Sequence, residues 1–499
     1  MGHRQKSRIT QGIFWCLGLF SEVPSSLYAS SGKNQTVSLL GDFLAMAPVQ
    51  TETQSVLHVI SVRGLGSGRA QKYMEIFAKD TGGALKRIQS FALHPEVVGF
   101  DICPDPGNSR RQEILLIGTE GIYRPGQSQP FIRRETTLAH PRDDAFVRVR
   151  ICFDLFKGEP RALVIPLIRG LDVMRFKKKD DYVLDTHINI HADARYLWPL
   201  LRGSHSPVQR LAVRFEYPDV HAVDFNADSY VDLCLTSSES VRCFFQNGAL
   251  GFKSNLPLRE FTVKALTAAE KKDTSKRIET KLVDVTGDNK PELIVAKSTW
   301  NLSDIGVSLF FYHQDTQELF QPKPFQVIER SGYFGFQEYW DYDGDGLVDM
   351  TAPVATTSWT DIAAAYLTKK VQLEFILYKN KGGQFQEPPL SLHNLNYPID
   401  FKNWASLLGC LPLWNVKMGQ GGPGVLFFPM AKNIELRTIT KELGISEKIH
   451  WETSVDIGGD VQTLDLDQDQ QQELVIAYPR DAKRSAQLLF IDTPDFKNF

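Results

Sequence analysis

The chain has 499 residues, of which 42% are hydrophobic and 23% are charged. This composition is typical of a folded protein with a large core, and it excludes disorder throughout the chain. The formal net charge of -3 gives no basic field, so we expect no nucleic-acid partner.

The N-terminus has the pattern of a secretory signal peptide. Three basic residues precede a short apolar run at 12–20, and small residues follow it. This order predicts a signal peptide over 1–29 that is cleaved after Ala29. The apolar run is shorter than the roughly 20 residues that span a bilayer, and we predict no transmembrane segment in the mature chain. We expect 30–499 to form a single domain that is secreted, periplasmic or at the cell surface.

Internal repetition is the most informative feature of the rest of the chain. Four segments share a hydrophobic lead-in, an acidic loop and an apolar strand, and their loops begin at Asp224, Asp284, Asp341 and Asp465. The separations are 60, 57 and 124 residues, and the last equals two periods, which predicts a degenerate copy near Asn415. Fainter copies at Asp101 and Asp154 bring the number of repeats to seven.

The repeats also carry further strand-like runs that end near Asn-Gly or Gly-Gly pairs, which are typical of hairpin turns. Several strands in each repeat predict an all-β fold, a β-propeller with seven four-stranded blades. Residues 38–80 are also strand-like, and they either pair with the last repeat to complete the ring or form an extra blade. We predict insertions near 174–216, 258–280 and 357–371, the last two as short helices.

The loop that begins at Asp341 has the arrangement of a cation site. Asp343, Asp345 and Asp349 stand at positions 3, 5 and 9, a glycine at position 6 permits a sharp turn, and Leu347 can offer its backbone carbonyl. Together they offer about six hard oxygen ligands once a carboxylate binds through both oxygens or a water joins, and such a set favours Ca²⁺ over Zn²⁺ or Cu²⁺. An EF-hand is excluded because position 12 is not acidic in any of the four loops and the flanking segments are β-rich.

The other three loops show the same alternation, with position 7 again contributing a backbone carbonyl. Their predicted ligands are Asp224, Asn226, Asp228, Tyr230 and Asp232; Asp284, Thr286, Asp288, Lys290 and Glu292; and Asp465, Asp467, Asp469, Gln471 and Glu473. Thr286 replaces an acid, which predicts a weaker site. The alternative is a set of acidic turns that bond to their own backbone.

The nine-residue loop followed by a strand resembles the FG-GAP or VCBS repeat, the calcium-loop blade of integrin α-subunit propellers and of many bacterial secreted proteins. The resemblance covers about residues 100–480, strongly in the four acidic repeats and weakly in the other three. It implies a secreted bacterial protein that is a seven-bladed propeller with structural calcium in its peripheral loops.

Cys234 and Cys243 flank a segment that fits a two-residue hairpin turn at Ser238 and Glu239. Such a turn would place the two cysteines opposite each other on adjacent strands. A disulfide formed in an oxidising compartment and a pair of free buried thiols both fit this pattern.

The sequence has no nucleophile elbow, phosphate-binding loop or paired zinc ligands, so we favour a protein that is not an enzyme. We expect a secreted, calcium-stabilised module that binds or scaffolds a protein or carbohydrate ligand. One alternative is a structural subunit of an envelope or secreted complex. The other is a polysaccharide-active enzyme such as a lyase, which some calcium-rich propellers resemble.

Overall fold

The computed structural model describes the chain between Asn34 and Ile491, with gaps. The described residues are 34–64, 70–135, 146–159, 161–167, 169–178, 181–190, 193–197, 212–248, 251–252, 258–267, 270, 273, 275–301, 304–315, 317–335, 337–355, 359–398, 414–416, 425–430, 433–438, 445, 451–454, 461–466, 473–478 and 485–491. The predicted signal peptide and its cleavage site at Ala29 lie outside these residues.

The described strands form eight sheets of four or five strands and two small hairpins. Each of the seven predicted repeats forms one of the larger sheets, and we number these sheets as blades 1 to 7. The prediction of an all-β propeller with seven repeat blades is therefore confirmed. A further four-stranded sheet, which we call the N-terminal sheet, precedes them at 42–92.

The strands follow the chain in order through these sheets. After β1 (Asn34–Ser38), the N-terminal sheet consists of β2 (Asp42–Gln50), β3 (Ser55–Arg63), β4 (Gln71–Lys79) and β5 (Leu85–Ala92). Blade 1 consists of β6 (Val97–Asp105), β7 (Asn108–Gly118), β8 (Gly121–Tyr123), β9 (Ile132–Arg133) and β10 (Val147–Arg148). Blade 2 consists of β11 (Cys152–Phe153), β12 (Ala162–Leu167), β13 (Gly170–Lys178) and β14 (Asp181–Asn189), and a separate hairpin of β15 (Asp193–Leu197) and β16 (Ala212–Glu216) follows it.

The next three blades carry three of the acidic loops, one each. Blade 3 consists of β17 (Asp219–Val223), β18 (Asp232–Thr236), β19 (Ser240–Phe244) and β20 (Leu258–Thr262). Blade 4 consists of β21 (Lys276–Val283), β22 (Glu292–Asn301), β23 (Asp304–Tyr312) and β26 (Gln326–Ser331), with a small hairpin of β24 (Gln314–Asp315) and β25 (Leu319–Phe320). Blade 5 consists of β27 (Tyr333–Phe334), β28 (Glu338–Trp340), β29 (Asp349–Ala355), β30 (Lys370–Tyr378) and β31 (Leu390–Pro398), with helix α1 (Trp359–Thr368) between β29 and β30.

The last two blades complete the set. Blade 6 consists of β32 (Trp414–Val416), β33 (Val425–Met430), β34 (Asn433–Thr438) and β35 (Trp451–Ser454). Blade 7 consists of β36 (Val461–Leu464), β37 (Glu473–Ala477) and β38 (Gln487–Ile491), and β1 supplies its fourth strand.

The described core lies between the sheets, where neighbouring sheets bury apolar side chains against each other. Six hydrophobic clusters join neighbouring sheets, through pairs such as Ile60 and Phe100, Leu115 and Leu163, Val173 and Leu235, Val241 and Val295, Leu309 and Ile376, and Phe490 and Leu57. The last pair joins blade 7 to the N-terminal sheet. The two ends of the described chain therefore pack together, as a closed ring requires.

Strand β1 also fastens the ring. It pairs antiparallel with β38 of blade 7, with Asn34 opposite Ile491. Of the two alternatives for 38–80, the extra sheet is the one that occurs, because most of these residues belong to the sheet at 42–92, whereas the strand that pairs with the last repeat is β1 at Asn34–Ser38. Pairing of β1 covers a sheet edge that would otherwise be open.

The insertion predicted at 174–216 begins later than expected. Residues 174–189 belong to β13 and β14 of blade 2, which pair in antiparallel register. The charged run that suggested an insertion includes the end of β13 at Lys178 and the start of β14 at Asp181. The β15–β16 hairpin, whose strands pair between 193 and 216, is the part that leaves the blade.

The helix predicted over 258–280 is wrong where the structure describes this segment, because β20 occupies 258–262 and β21 begins at Lys276. Arg259 and Glu260, two of the charges that suggested a solvated helix, lie instead exposed on β20. Glu260 of β20 stands opposite Arg242 of β19, and Arg242 Nε donates to Glu260 Oε1 at 3.0 Å. Such cross-strand pairs stabilise sheets as i to i+4 pairs stabilise helices.

The short helix predicted near 357–371 is confirmed as α1. It spans ten residues on blade 5, and Tyr366 and Leu367 are exposed on it. Within the described part of the chain, no helix has the length and apolar character needed to cross a membrane.

Candidate calcium loops

The four acidic loops occupy the same place in their blades. In blades 3, 4 and 7 the loop joins the first strand to the second, at 224–232, 284–292 and 465–473, and in blade 5 it joins β28 to β29, at 341–349. We call them loop 224, loop 284, loop 341 and loop 465. Equivalent connections lie on one face of a propeller, so the loops share that face.

Loop 341 brings three carboxylates together. Single oxygens of Asp341, Asp343 and Asp345 all lie within 4.8 Å of one another. Two glycines with positive φ shape the turn, and Asp341 accepts their amide N–H groups, from Gly344 at 2.7 Å and Gly346 at 3.0 Å. These two hydrogen bonds hold the carboxylate of Asp341 against the turn.

Asp349, at position 9 of this loop, stays a predicted ligand, and its carboxylate also contacts the backbone. It is fully buried and is not part of the converging group. Its Oδ2 accepts the N–H of Tyr342 at 3.1 Å, and its Oδ1 accepts the N–H of Asn380 at 2.7 Å. The carboxylate therefore connects the start of the loop, at Tyr342, with Asn380, which follows β30. Burial raises the pKa of Asp349.

Lys379 is the cation nearest to this cluster. Its Nζ forms an ion pair with Asp343 Oδ2, and this hydrogen bond raises the pKa of Lys379. One positive charge against three carboxylates leaves two negative charges. A divalent ion is the charge that would offset them.

Loop 224 repeats this geometry. Asp224 accepts the N–H groups of Asp228 at 3.1 Å and of Ser229 at 2.8 Å, and Asp228 accepts the N–H of Tyr230 at 2.9 Å. Ser229 has a φ of 70°, so it adopts the left-handed conformation that glycine provides in loop 341. The side-chain amide of Asn226 donates to Asp228 Oδ2 at 3.0 Å.

Position 9 of loop 224 matches that of loop 341. Asp232 is buried and accepts the N–H groups of Phe225 at 3.1 Å and of Gln246 at 2.8 Å. The pKa of Asp232 is raised to about 6, chiefly by burial, with a smaller contribution from the carboxylates of Asp228 and Asp224. Burial disfavours the charged form of a carboxyl group, and nearby negative charges act in the same direction.

Loop 284 keeps the backbone hydrogen bonds to its first residue but has a threonine at position 3. Asp284 accepts the N–H groups of Gly287 at 2.7 Å and of Asn289 at 2.8 Å. Thr286 Oγ1 donates to the buried Glu292 at 3.2 Å. The hydroxyl is thus engaged with position 9, while Asp288 accepts the N–H of Lys290 at 2.9 Å.

Loop 465 is described only at its two ends. Glu473 is buried, and its Oε2 accepts the N–H of Leu466 at 2.8 Å, as in the other loops. Its Oε1 lies 2.8 Å from Lys79 Nζ of the N-terminal sheet. The predicted ligands Asp467, Asp469 and Gln471 lie outside the described residues.

Cys234 on β18 and Cys243 on β19 lie opposite each other, as the predicted hairpin turn requires. A disulfide joins them. A second disulfide, which the sequence did not suggest, joins Cys103 of blade 1 to Cys152 of blade 2. It lies beside the buried Asp101, whose Oδ2 accepts the N–H of Cys152 at 3.1 Å.

Sequence reasoning also missed two amide side chains, Gln246 and Asn380. Gln246 lies two residues after the end of β19, and Asn380 lies two residues after the end of β30. Each donates its backbone N–H to the position 9 acid and is buried. The available signal was positional, since each comes shortly before the Gly-containing turn that follows this strand.

Comparisons with known proteins give no family for this chain. No family model matches it, and no curated protein matches it. Among solved structures, an N-acetylglucosamine-recognising lectin from Agrocybe aegerita is similar at a TM-score of 0.40 and 10% identity, over 71% of this chain and 80% of that chain. A putative 6-phosphogluconolactonase from Bacteroides uniformis is similar at a TM-score of 0.30 and 12% identity, over 80% of this chain and 82% of that one. The V. cholerae biofilm matrix protein Bap1 is similar at a TM-score of 0.28 and 8% identity, over 90% and 77%. These similarities are too remote to assign a function.

Proposed function

We propose that this chain is a calcium-stabilised propeller of the FG-GAP or VCBS type that serves as a binding or scaffold module. The observation that carries the proposal is the convergence of Asp341, Asp343 and Asp345, whose oxygens lie within 4.8 Å of one another. Calcium takes six to eight oxygen ligands, and carboxylates and backbone carbonyls are the kinds it prefers.

The residues of loop 341 fit such an ion. Asp341, Asp343 and Asp345 would bind it, the carbonyl of Leu347 would add a fourth group, and water would complete the shell. Calcium would supply positive charge at the place where the carboxylates repel one another. Asp349 would hold the loop from beneath, because both of its oxygens accept backbone N–H groups.

The same reasoning extends to the other loops in order of their fit. Loop 224 has the same backbone bonds and offers Asp224, Asn226 and Asp228. Loop 284 offers Asp284 and Asp288, while Thr286 is engaged by the buried acid. We therefore propose a weaker site there, and we keep loop 465 as a site on the strength of its sequence.

The two disulfides in the described residues support an oxidising compartment. This agrees with the proposed signal peptide, and we propose that the protein is secreted, periplasmic or at the cell surface. Extracellular calcium modules bind at about 10⁻⁴ to 10⁻³ M, so ambient calcium would load the loops there.

We propose a protein or carbohydrate as the ligand. A second candidate function, as a subunit of an envelope or secreted complex, is favoured by one observation. Tyr366 and Leu367 on α1 are 69% and 82% exposed, and large side chains presented in this way commonly mark a protein contact.

Calcium content and thermal unfolding test the proposal. The purified chain should contain bound calcium, and a chelator should lower its melting temperature. At a calcium concentration about tenfold above Kd, each site contributes about 1.4 kcal/mol. Asp345→Ala should remove one ion and reduce the effect of the chelator.

The matched control is Asp80→Ala. Asp80 lies in an acidic hairpin turn that is not a predicted site, and it accepts the N–H groups of Gly82 and Ala84, both at 2.9 Å. Its loss should lower the melting temperature equally with and without calcium. A chain that binds no calcium and melts identically in chelator would refute the proposal.

A further inference from the structure

The side-chain amide of Asn380 contacts two acidic loops of different blades. Within loop 341, the backbone N–H of Asn380 donates to Asp349 and its Nδ2 donates to the carbonyl of Val348 at 2.9 Å. The same Nδ2 donates to the carbonyl of Val285 in loop 284 at 2.7 Å. Its Oδ1 accepts the N–H of Gly383 at 3.0 Å, so every N–H of this fully buried residue is used.

Val285 stands between Asn380 and the buried acid of its own loop. Its N–H donates to Glu292 at 2.8 Å, while its carbonyl accepts from Asn380. The next residue, Thr286, also donates its N–H and its hydroxyl to Glu292. A short chain of hydrogen bonds therefore runs from the position 9 acid of loop 341 to the position 9 acid of loop 284.

Blade 3 contains the same arrangement with a glutamine. Gln246 donates its N–H to Asp232, and its Nε2 donates to the carbonyls of Val231 at 3.1 Å and of Leu155 at 2.8 Å. Leu155 follows Asp154, as Val285 follows Asp284. The arrangement recurs at equivalent positions of two blades, so the contact belongs to the repeat and is not an accident of one site.

The two amides differ in what they connect. Asn380 joins loop 341 to loop 284, which are both proposed calcium loops. Gln246 joins loop 224 to the degenerate loop at Asp154, where the ligand acids are mostly lost. One amide thus links two cation loops, and the other links one such loop to a loop without the acids.

We propose that Asn380 is a positioning residue that couples cation binding in loop 341 to cation binding in loop 284. The inference rests on the proposed calcium sites and adds regulation to them. Cation binding orders loop 341, which fixes Val348 and Asp349 and so the amide of Asn380. The fixed amide holds Val285, which sets the backbone from which Asp284 and Asp288 project.

Coupling of this kind is reciprocal. Cation binding in loop 284 should favour cation binding in loop 341 by the same factor as the reverse. The physical cause is the cost of unpaired donors. If either loop moves away, an Nδ2 hydrogen of Asn380 loses its acceptor in a place that water does not reach. The two loops should therefore order together.

The test measures hydrogen exchange of peptides that cover loop 284 while free calcium is varied in the full chain. The first comparison leaves Asn380 intact. Asp345→Asn disables loop 341 at an exposed position, and it should raise the calcium concentration for half-maximal protection of loop 284 about fivefold or more.

The second comparison removes the link. In an Asn380→Leu chain, which keeps the backbone N–H but loses the amide, adding Asp345→Asn should no longer shift loop 284. Asn380→Gln, with the residue that blade 3 carries at this position, should restore the shift. Gln246→Met removes an equivalent buried amide elsewhere, and the shift should persist in it.

The outcomes separate this proposal from the calcium assignment. If loops 284 and 341 both respond to calcium but loop 284 ignores Asp345→Asn, the coupling is refuted while the calcium sites stand. If neither loop responds to calcium, both proposals fall. A shift that survives in Asn380→Leu would show coupling by another route and would overturn the role of Asn380.

Discussion

Lys79 Nζ lies 2.8 Å from Glu473 Oε1, and both side chains are buried. Lys79 ends β4 of the N-terminal sheet, whereas Glu473 begins β37 of blade 7, so the pair joins the two ends of the described chain. Glu473 also accepts the N–H of Leu466 and thereby holds loop 465. The carboxylate of Glu473 thus contributes both to the closure of the ring and to the fold of its last acidic loop.

Replacement of Lys79 should destabilise the chain strongly. Lys79→Met leaves the carboxylate of Glu473 buried without its ion partner, and loss of one member of a buried pair costs about 3 to 5 kcal/mol. The free energy of unfolding in guanidinium measures this. The control is Lys86→Met, which breaks the exposed pair with Asp80 and should cost less than about 1 kcal/mol.

A double variant tests the pairing itself. Lys79→Met combined with Glu473→Gln should be less destabilised than the sum of the two single changes, because the uncompensated charge is gone. Equal costs for Lys79→Met and Lys86→Met would contradict the prediction.

The disulfide between blades should contribute more stability than the disulfide within a blade. Cys103 and Cys152 are 49 residues apart, whereas Cys234 and Cys243 are 9 apart. Loop-closure entropy then predicts about 4 kcal/mol for the first and about 3 kcal/mol for the second. Unfolding of the two Cys→Ala double variants in guanidinium should show this order, and the reverse order would refute it.

The sequence predicted the frame of the molecule well. The period near sixty residues, the Asn-Gly and Gly-Gly turns and the strand after each acidic loop all report local chain geometry. Such features locate a blade without knowledge of its neighbours. The same local signals placed α1 and the register of Cys234 with Cys243.

Features that depend on contacts between blades escaped prediction. Asn380 lies 95 residues from its acceptor Val285, and Cys103 lies on a different blade from Cys152. The burial of the position 9 acids could not be predicted from their spacing, because it depends on how the strands pack around them. The segment of Glu260 was predicted as a helix because an exposed outer strand that pairs its charges has the composition of a solvated helix.

Removal of Lys379 should strengthen cation binding in loop 341. Its ammonium pairs with Asp343 and so competes with a bound cation for that carboxylate. An exposed or half-exposed pair is worth up to about 1 kcal/mol, which corresponds to about a fivefold change in affinity. Lys379→Met should therefore lower the half-saturating calcium concentration of loop 341 about fivefold in a titration that follows exchange of its peptides.

The control for this change is Lys381→Met, an exposed lysine of the same hairpin. It should leave the half-saturating calcium concentration of loop 341 within about twofold of the wild-type value. Lys381 forms no ion pair with Asp341, Asp343 or Asp345 in the part of the chain that the structure describes. Weaker calcium binding in Lys379→Met than in Lys381→Met would mean that the lysine supports the loop.

Acid should destabilise the N-terminal sheet through His58. This residue is buried beside Met74, with Nδ1 3.4 Å from the sulfur, and burial lowers the pKa of His58 to about 4. In the unfolded chain the imidazole takes up a proton near pH 6.5. The unfolded state therefore binds one more proton between these values, so stability falls as the pH drops from about 6.5 towards 4.

The expected loss between pH 7.5 and pH 5 is about 2 kcal/mol, because each pKa unit corresponds to about 1.4 kcal/mol. Unfolding free energies in chelator, which keeps calcium out of the comparison, should fall by about this amount more in the wild-type chain than in His58→Gln. Buried acids such as Asp232, whose pKa is raised, act in the opposite direction, but they do so in both chains and cancel. Between pH 7.5 and pH 8.5 the two chains should change in parallel, since His58 is neutral in both states there. Equal acid sensitivity of the two chains would mean that His58 is hydrated or protonated in the folded sheet. That result would contradict the burial of His58 on β3.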